Sequence, residues 1–168
     1  IDQAIELLAG KQQYFDQNST LRVALAHLHS MQEQYVKAAA LFKEASLLDP
    51  DNAQITRELG LAQIAAGEHE QAVHTLKSAL RGLEVSQRPG LRRALARAQA
   101  HTGRLDAARR TYLELARSEA GEARDWVSLG ELAFEAEDLS GTLHAAQRAQ
   151  AKAPQNPRGY LLAGLVLQ

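Results

Sequence analysis

Cysteine is absent from the 168 residues, which excludes disulfide bonds, thiolate catalysis and cysteine-ligated zinc. Neither sign of charge dominates: 19 basic residues stand against 20 acidic ones, and a net charge of −1 gives no general attraction for nucleic acid. Long apolar runs are missing too, because the run near the end of the chain, 160–167, has only eight residues and cannot cross a bilayer. With 45% apolar residues, the composition is that of one soluble, folded domain.

The usual signatures of catalysis and metal binding are also missing. The eleven glycines are scattered rather than gathered into a phosphate-binding loop, and neither a G-x-S-x-G nor an H-E-x-x-H motif occurs. His27 and His29 are two residues apart and His69 and His74 are five apart, whereas a helical zinc site uses histidines four apart. We therefore expect no enzymatic activity, no cofactor and no metal ion.

What the sequence does contain is a repeat of about 34 residues. Equivalent positions are occupied by Leu25-Ala26, Leu59-Gly60, Leu95-Ala96 and Leu129-Gly130, whose leucines are 34, 36 and 34 residues apart. Each repeat has two stretches with apolar residues at i, i+3, i+4 and i+7, which predicts two amphipathic helices. Gly67 and Gly103 mark turns between helices, and Pro50 and Pro154 close two repeats beside Asn or Asp residues that can cap the next helix.

This pattern resembles that of the tetratricopeptide repeat family over essentially the whole chain. The fourth repeat carries the family's residues at Trp126, Leu129-Gly130, Ala149 and Pro154. The second carries them at Leu59-Gly60, Gly67, Ala72 and Ala79. The chain departs from the family pattern in two ways. Glu33 and Glu137 replace the turn glycine, and Arg22 and Arg92 replace a large aromatic residue. The resemblance implies an all-α fold, a right-handed α-solenoid of tetratricopeptide-type helix-turn-helix repeats.

The resemblance also divides the chain as a single array. Residues 1–17 would be the second helix of a preceding repeat, and 157–168 the first helix of a following one. The four complete repeats between them are predicted at 18–52, 53–87, 88–121 and 122–156. Because both ends have the character of helix interiors, we expect the sequence to be a fragment of a longer chain.

In this family the first helix of each repeat lines a concave groove that binds peptides or protein segments. The resemblance therefore implies a partner-binding groove formed by Arg57, Leu61, Ile64, Arg93, Arg97, His101, Arg124, Val127, Glu131, Phe134 and Arg158. Arg93 and Arg97 are one helical turn apart and are spaced to meet a carboxylate of the ligand. We predict a non-catalytic protein–protein interaction scaffold whose groove binds an acidic and hydrophobic segment. Equally open is that Glu58, Glu131 and Glu135 neutralise the groove arginines internally.

Other interpretations stay open at this level. The chain could instead be a regulatory or substrate-presenting segment of a larger enzyme whose catalytic domain lies outside it. Residues 81–117 carry nine arginines against three acids, and 118–141 carry seven acids against one arginine, which favours attraction between neighbouring repeats over nucleic-acid binding. The apolar residues of 160–167 predict cover by missing residues or self-association through the C-terminal helix. Cytoplasm and periplasm are equally compatible with a chain that lacks cysteine.

Overall fold

The computed structural model describes residues 1–10 and 18–167, and within those ranges the chain forms ten α-helices and no strand. The helices are α1 (Asp2–Ala9), α2 (Ser19–Met31), α3 (Tyr35–Leu48), α4 (Ala53–Ala65), α5 (His69–Gly82), α6 (Arg88–His101), α7 (Leu105–Arg117), α8 (Ala123–Glu135), α9 (Leu139–Lys152) and α10 (Pro157–Val166). A short 3₁₀ helix, Val85–Gln87, precedes α6. The predicted all-α fold is confirmed.

The helices follow one another as hairpins. Each of the ranges 18–52, 53–87, 88–121 and 122–156 contains two consecutive helices. Before them, α1 lies within the predicted half-repeat 1–17, of which residues 11–17 lie outside the described part of the chain.

All four hairpins close with the same backbone turn. One residue of each turn has a positive φ: Glu33 at 59°, Gly67 at 79°, Gly103 at 72° and Glu137 at 58°. The amide N–H of the following residue donates to the carbonyl five residues back over 2.8–2.9 Å in every hairpin. This bond and the left-handed residue together end the first helix and reverse the chain. The two glutamates thus adopt the backbone conformation that glycine supplies in the other two repeats.

Side-chain caps fix where the first helices begin. Asn52 accepts hydrogen bonds from the backbone N–H groups of Gln54 and Ile55 at 3.2 and 3.3 Å, and Asn156 accepts one from that of Arg158 at 3.0 Å. Both caps follow the proline-closed ends that the sequence predicts. At the start of α8, Glu122 and Asp125 form a reciprocal capping box.

Tertiary contacts divide the chain into two compact units, residues 1–98 and 99–168, so that the last residues of α6 belong to the second unit. In unit 1, one apolar cluster joins α2, α3 and α4 around Phe42, whose ring forms a T-shaped contact with the His27 ring at 5.1 Å between centroids. A second cluster joins α4, α5 and α6 around Leu76. In unit 2, a cluster around Trp126 joins α7, α8 and α9.

Two glycines lie at close contacts between helices. Gly60 of α4 lies against Leu76 of α5, and Gly130 of α8 lies against Ala145 of α9 and Leu162 of α10. A methyl group at either glycine would collide with the leucine beside it. The small residues at these positions therefore permit the packing that the repeat pattern predicts.

Candidate functional site

Five of the predicted groove residues lie in unit 1. Leu61 on α4 is 36% exposed and Arg97 on α6 is exposed, whereas Arg93 is half-buried and already has a partner within the protein. Ile64 is only 8% exposed, because it belongs to the apolar cluster that α4 shares with α5 and α6. Of this set, Leu61 and Arg97 offer the most surface to a ligand.

Arg57, the fifth residue, is neutralised within the protein. Its guanidinium pairs with the carboxylate of the adjacent Glu58, and both side chains are partly buried. This pair agrees with the alternative that acidic residues compensate the groove arginines, and it leaves Arg97 as the exposed cation of the unit 1 set.

Unit 2 contains the other six predicted residues. His101, Arg124, Glu131 and Arg158 are exposed. Phe134 at the end of α8 is 38% exposed, whereas Val127 is 3% exposed and belongs to the Trp126 cluster. Arg124 pairs with Glu122 at 2.7 Å, both side chains being well exposed, so this ion pair contributes little to stability.

On the second-helix side of unit 2 lies a cavity that the repeat pattern does not predict. A cavity of about 440 Å³ opens between α7 and α9, with α8 as its floor. Leu113, Trp126, Leu129 and Ala145 form its apolar part, and arginines of α7 line its other wall. A signal for it was present, because residue 133 is alanine where the earlier repeats have a larger polar side chain.

Asp138 links the two helices that border this cavity. Its carboxylate accepts the backbone N–H of Gly141 at 2.9 Å and the hydroxyl of Ser140 at 3.1 Å, and it pairs with Arg109 at 3.5 Å. The pKa of Asp138 is lowered chiefly by the Gly141 hydrogen bond, then by Ser140, with a smaller contribution from Arg109. The Arg109 pair joins the arginine-rich and acid-rich segments, which agrees with the predicted attraction between neighbouring repeats.

The described residues contain no cluster of three or more histidine and carboxylate side chains able to hold a metal ion. Among the helices of residues 1–10 and 18–167, none is long and apolar enough to span a membrane. In α10, Leu161 and Leu165 are exposed and Leu162 is buried. Self-association through this helix stays a prediction, which light scattering of the chain would check.

Comparison with known proteins identifies the class. Residues 30–82 match the tetratricopeptide repeat family model. Among solved structures, MamA from Desulfovibrio magneticus RS-1 (residues 41 to the end) aligns with a TM-score of 0.77 and 15% identity, over 88% of this chain and 82% of that one. The C-terminal part of a TPR repeat-containing protein from Cytophaga hutchinsonii aligns with a TM-score of 0.79 and 12% identity, over 98% and 64%.

A third structure, YrrB, is described as a TPR protein with an unusual peptide-binding site; it aligns with a TM-score of 0.72 and 16% identity, over 96% of this chain and 82% of that one. No curated protein sequence matches the chain. The chain has the fold of tetratricopeptide repeat proteins, and its residues 30–82 match the model of that family. Its fold is that of a protein–protein interaction scaffold, a class that is generally non-catalytic.

Proposed function

We propose that the first-helix surface of unit 1 binds an acidic and hydrophobic segment of a partner protein, and that the chain itself catalyses no reaction. The observation that carries the proposal is that the first helices of unit 1 expose large apolar side chains on α2 and α4 and a guanidinium on α6. Met31 on α2 is 67% exposed and Leu61 on α4 is 36% exposed, while Arg97 on α6 is exposed.

The apolar residues and the arginine would contribute to binding in different ways. Apolar side chains left in water supply affinity when a ligand covers them, at about 25 cal/mol per Å² of buried apolar surface. An exposed guanidinium adds orientation, because its planar donor groups match a carboxylate in two parallel hydrogen bonds. Arg57 contributes less than its position suggests, since a ligand carboxylate would have to compete with Glu58. The proposal therefore depends on Arg97, because Arg93 on the same helix is half-buried and already has a partner within the protein.

The similarity to YrrB supports a peptide ligand by analogy of fold, since that protein is described as having a peptide-binding site. The experiment uses a fluorescent peptide of alternating glutamate and leucine residues and a second peptide in which glutamine replaces glutamate. Fluorescence anisotropy should show that the chain binds the glutamate peptide more tightly, and that added salt weakens this preference.

The decisive variant is the double substitution Arg93→Glu and Arg97→Glu, and Arg81→Glu, at an exposed arginine of the second helix α5, is the matched control. The double variant should keep the far-UV circular dichroism of the parent chain, with a somewhat lower thermal midpoint because Arg93 loses its internal partner, but it should not bind the glutamate peptide. The control should retain binding. Undiminished binding by the double variant would show that the ligand uses another surface.

A further inference from the structure

We propose that the cavity between α7 and α9 is a second docking site, which accepts one bulky apolar side chain from an acidic peptide segment. All the residues that line it lie in unit 2, on helices α7, α8 and α9. This site is separate from the first-helix surface proposed above, because its walls are the second helices of the third and fourth repeats.

The size of the cavity fits a side chain rather than a solvent molecule. Its volume of about 440 Å³ lies at the lower end of the range for ligand pockets, about 300–1,000 Å³. Leu113 and Leu129 are only partly buried against the Trp126 cluster, so apolar surface remains to be covered. A phenylalanine or leucine side chain that entered here would remove that surface from water.

The fourth repeat differs from the first three at the floor of this cavity. Its floor includes Ala133, and the equivalent residues of the first three repeats are His29, Gln63 and Gln99. Gln63 and Gln99 are both buried, at 6% and 5% exposure, so a long side chain fills this position in those repeats. In the fourth repeat alanine leaves that volume empty.

The charge around the opening selects the flanking residues of the ligand. Arg109, Arg110 and Arg117 line the cavity with one carboxylate, that of Asp106. Asp138 pairs with Arg109, which leaves Arg110 and Arg117 as the exposed cations of the opening. On the opposite wall, α9 contains no acidic residue, and its exposed Arg148 lies over the Trp126 ring, 5.2 Å from the centroid. A surface of this sign attracts carboxylates on both sides of the apolar anchor and repels basic segments.

The chain carries its own reporter for this site, since Trp126 in the cavity floor is its only tryptophan. The probe is a blocked peptide with glutamates on both sides of one phenylalanine. Titration should change the Trp126 emission in a saturable way. Alanine in place of the phenylalanine, or glutamine in place of the glutamates, should weaken binding about tenfold or more, as expected when an anchor or its charge complement is lost.

Two variants test the cavity and its rim separately. Ala133→Gln introduces the residue of the second and third repeats, so the chain should fold and the peptide should bind about tenfold more weakly. Arg110→Gln together with Arg117→Gln should weaken binding several-fold and reduce its salt dependence. Ala151→Gln, on an exposed position of α9, and Arg81→Gln, on α5, are the matched controls and should bind as the parent does.

The outcomes distinguish this site from the first-helix surface. The Arg93→Glu, Arg97→Glu variant should leave the Trp126 response intact, so either proposal can fail without the other. Unchanged peptide affinity in Ala133→Gln, or an unresponsive Trp126, would overturn the second site. If phenylacetate bound as tightly as the peptide, the occupant would be a small aromatic acid. If the Trp126 emission changed when the protein alone was diluted, the occupant would be a second copy of the chain. Either result would contradict the proposal.

Discussion

Replacing Gly60 by alanine adds one methyl group where α4 lies closest to α5. A Cβ atom at this position would lie 2.8 Å from Cγ of Leu76 and would also collide with its Cδ2. Leu76 is completely buried, so its side chain cannot turn away into solvent. Overpacking of this kind costs about 1–3 kcal/mol, and alanine returns about 0.8–1 kcal/mol through its higher helix propensity. We expect a net loss of about 1 kcal/mol in the free energy of unfolding.

The same substitution at Gly90 serves as the control within unit 1. Apart from its two chain neighbours and the nearby backbone of its own helix, no heavy atom of the described residues lies within 4 Å of a Cβ built at Gly90, so only the helix propensity changes. Gly90→Ala should therefore stabilise the chain by about 0.5–1 kcal/mol. In unit 2, Gly130→Ala and Gly164→Ala repeat the comparison, because Gly130 abuts Leu162 and the position of Gly164 is open.

Urea and thermal unfolding followed by far-UV circular dichroism measure both effects. Each kcal/mol shifts the thermal midpoint by about 2–4 °C in a chain of this size. The Gly60 and Gly90 variants should move in opposite directions. If Gly60→Ala proved as stable as Gly90→Ala, the close approach of α4 and α5 would not exist as described.

Three further predictions concern the turns, the core of unit 2 and the effect of pH. Glu137→Gly should stabilise the chain by about 0.5 kcal/mol, because glycine adopts the positive φ of this turn without strain. Gly67→Ala should destabilise the chain by about 1 kcal/mol for the opposite reason, although its side chain meets no clash. Urea midpoints that shift in the same direction in both variants would refute the turn geometry. Trp126→Ala should cost about 3–5 kcal/mol, and an unchanged melting temperature would contradict its place in the core. The folded-state pKa of Asp138 is lowered, so its stabilisation is complete above the ordinary value of 3.8 and is lost as the pH falls below it. The stability advantage of the parent over Asp138→Asn should therefore shrink in acid; an advantage that is constant with pH, measured by urea unfolding, would exclude this role.

The repeat interval was sufficient to predict the helical fold, because the small residues at helix contacts and the residues that cap the helices recur at fixed positions in the sequence. Gly60 and Gly130 lie at the close helix contacts, and Asn52 and Asn156 cap the helices after the prolines. The turn at Glu137 was harder to predict, since glutamate has no preference for positive φ. There the backbone hydrogen bond that closes the hairpin holds the residue in place.

The binding surface was less predictable because helix periodicity assigns a face but not the depth of a side chain on that face. Ile64 and Val127 occupy groove positions in the repeat pattern, yet neighbouring helices bury both. The pairing of Arg57 with Glu58 depends on rotamers that sequence spacing does not fix. The cavity in unit 2 required a comparison of side-chain size across the repeats, in which Ala133 differs from Gln63 and Gln99.

Placing the sole indole in unit 2 makes the two halves of the molecule spectroscopically unequal. Unit 1 contains no tryptophan, so its melting is invisible at the emission wavelengths of indole, whereas the peptide-bond signal reports both units together. Comparing the unfolding curve from Trp126 emission with that from the peptide-bond signal would then test, without labels or truncation, whether the two units unfold together. Coincident curves mean that the units unfold cooperatively, whereas separated curves give each unit its own midpoint.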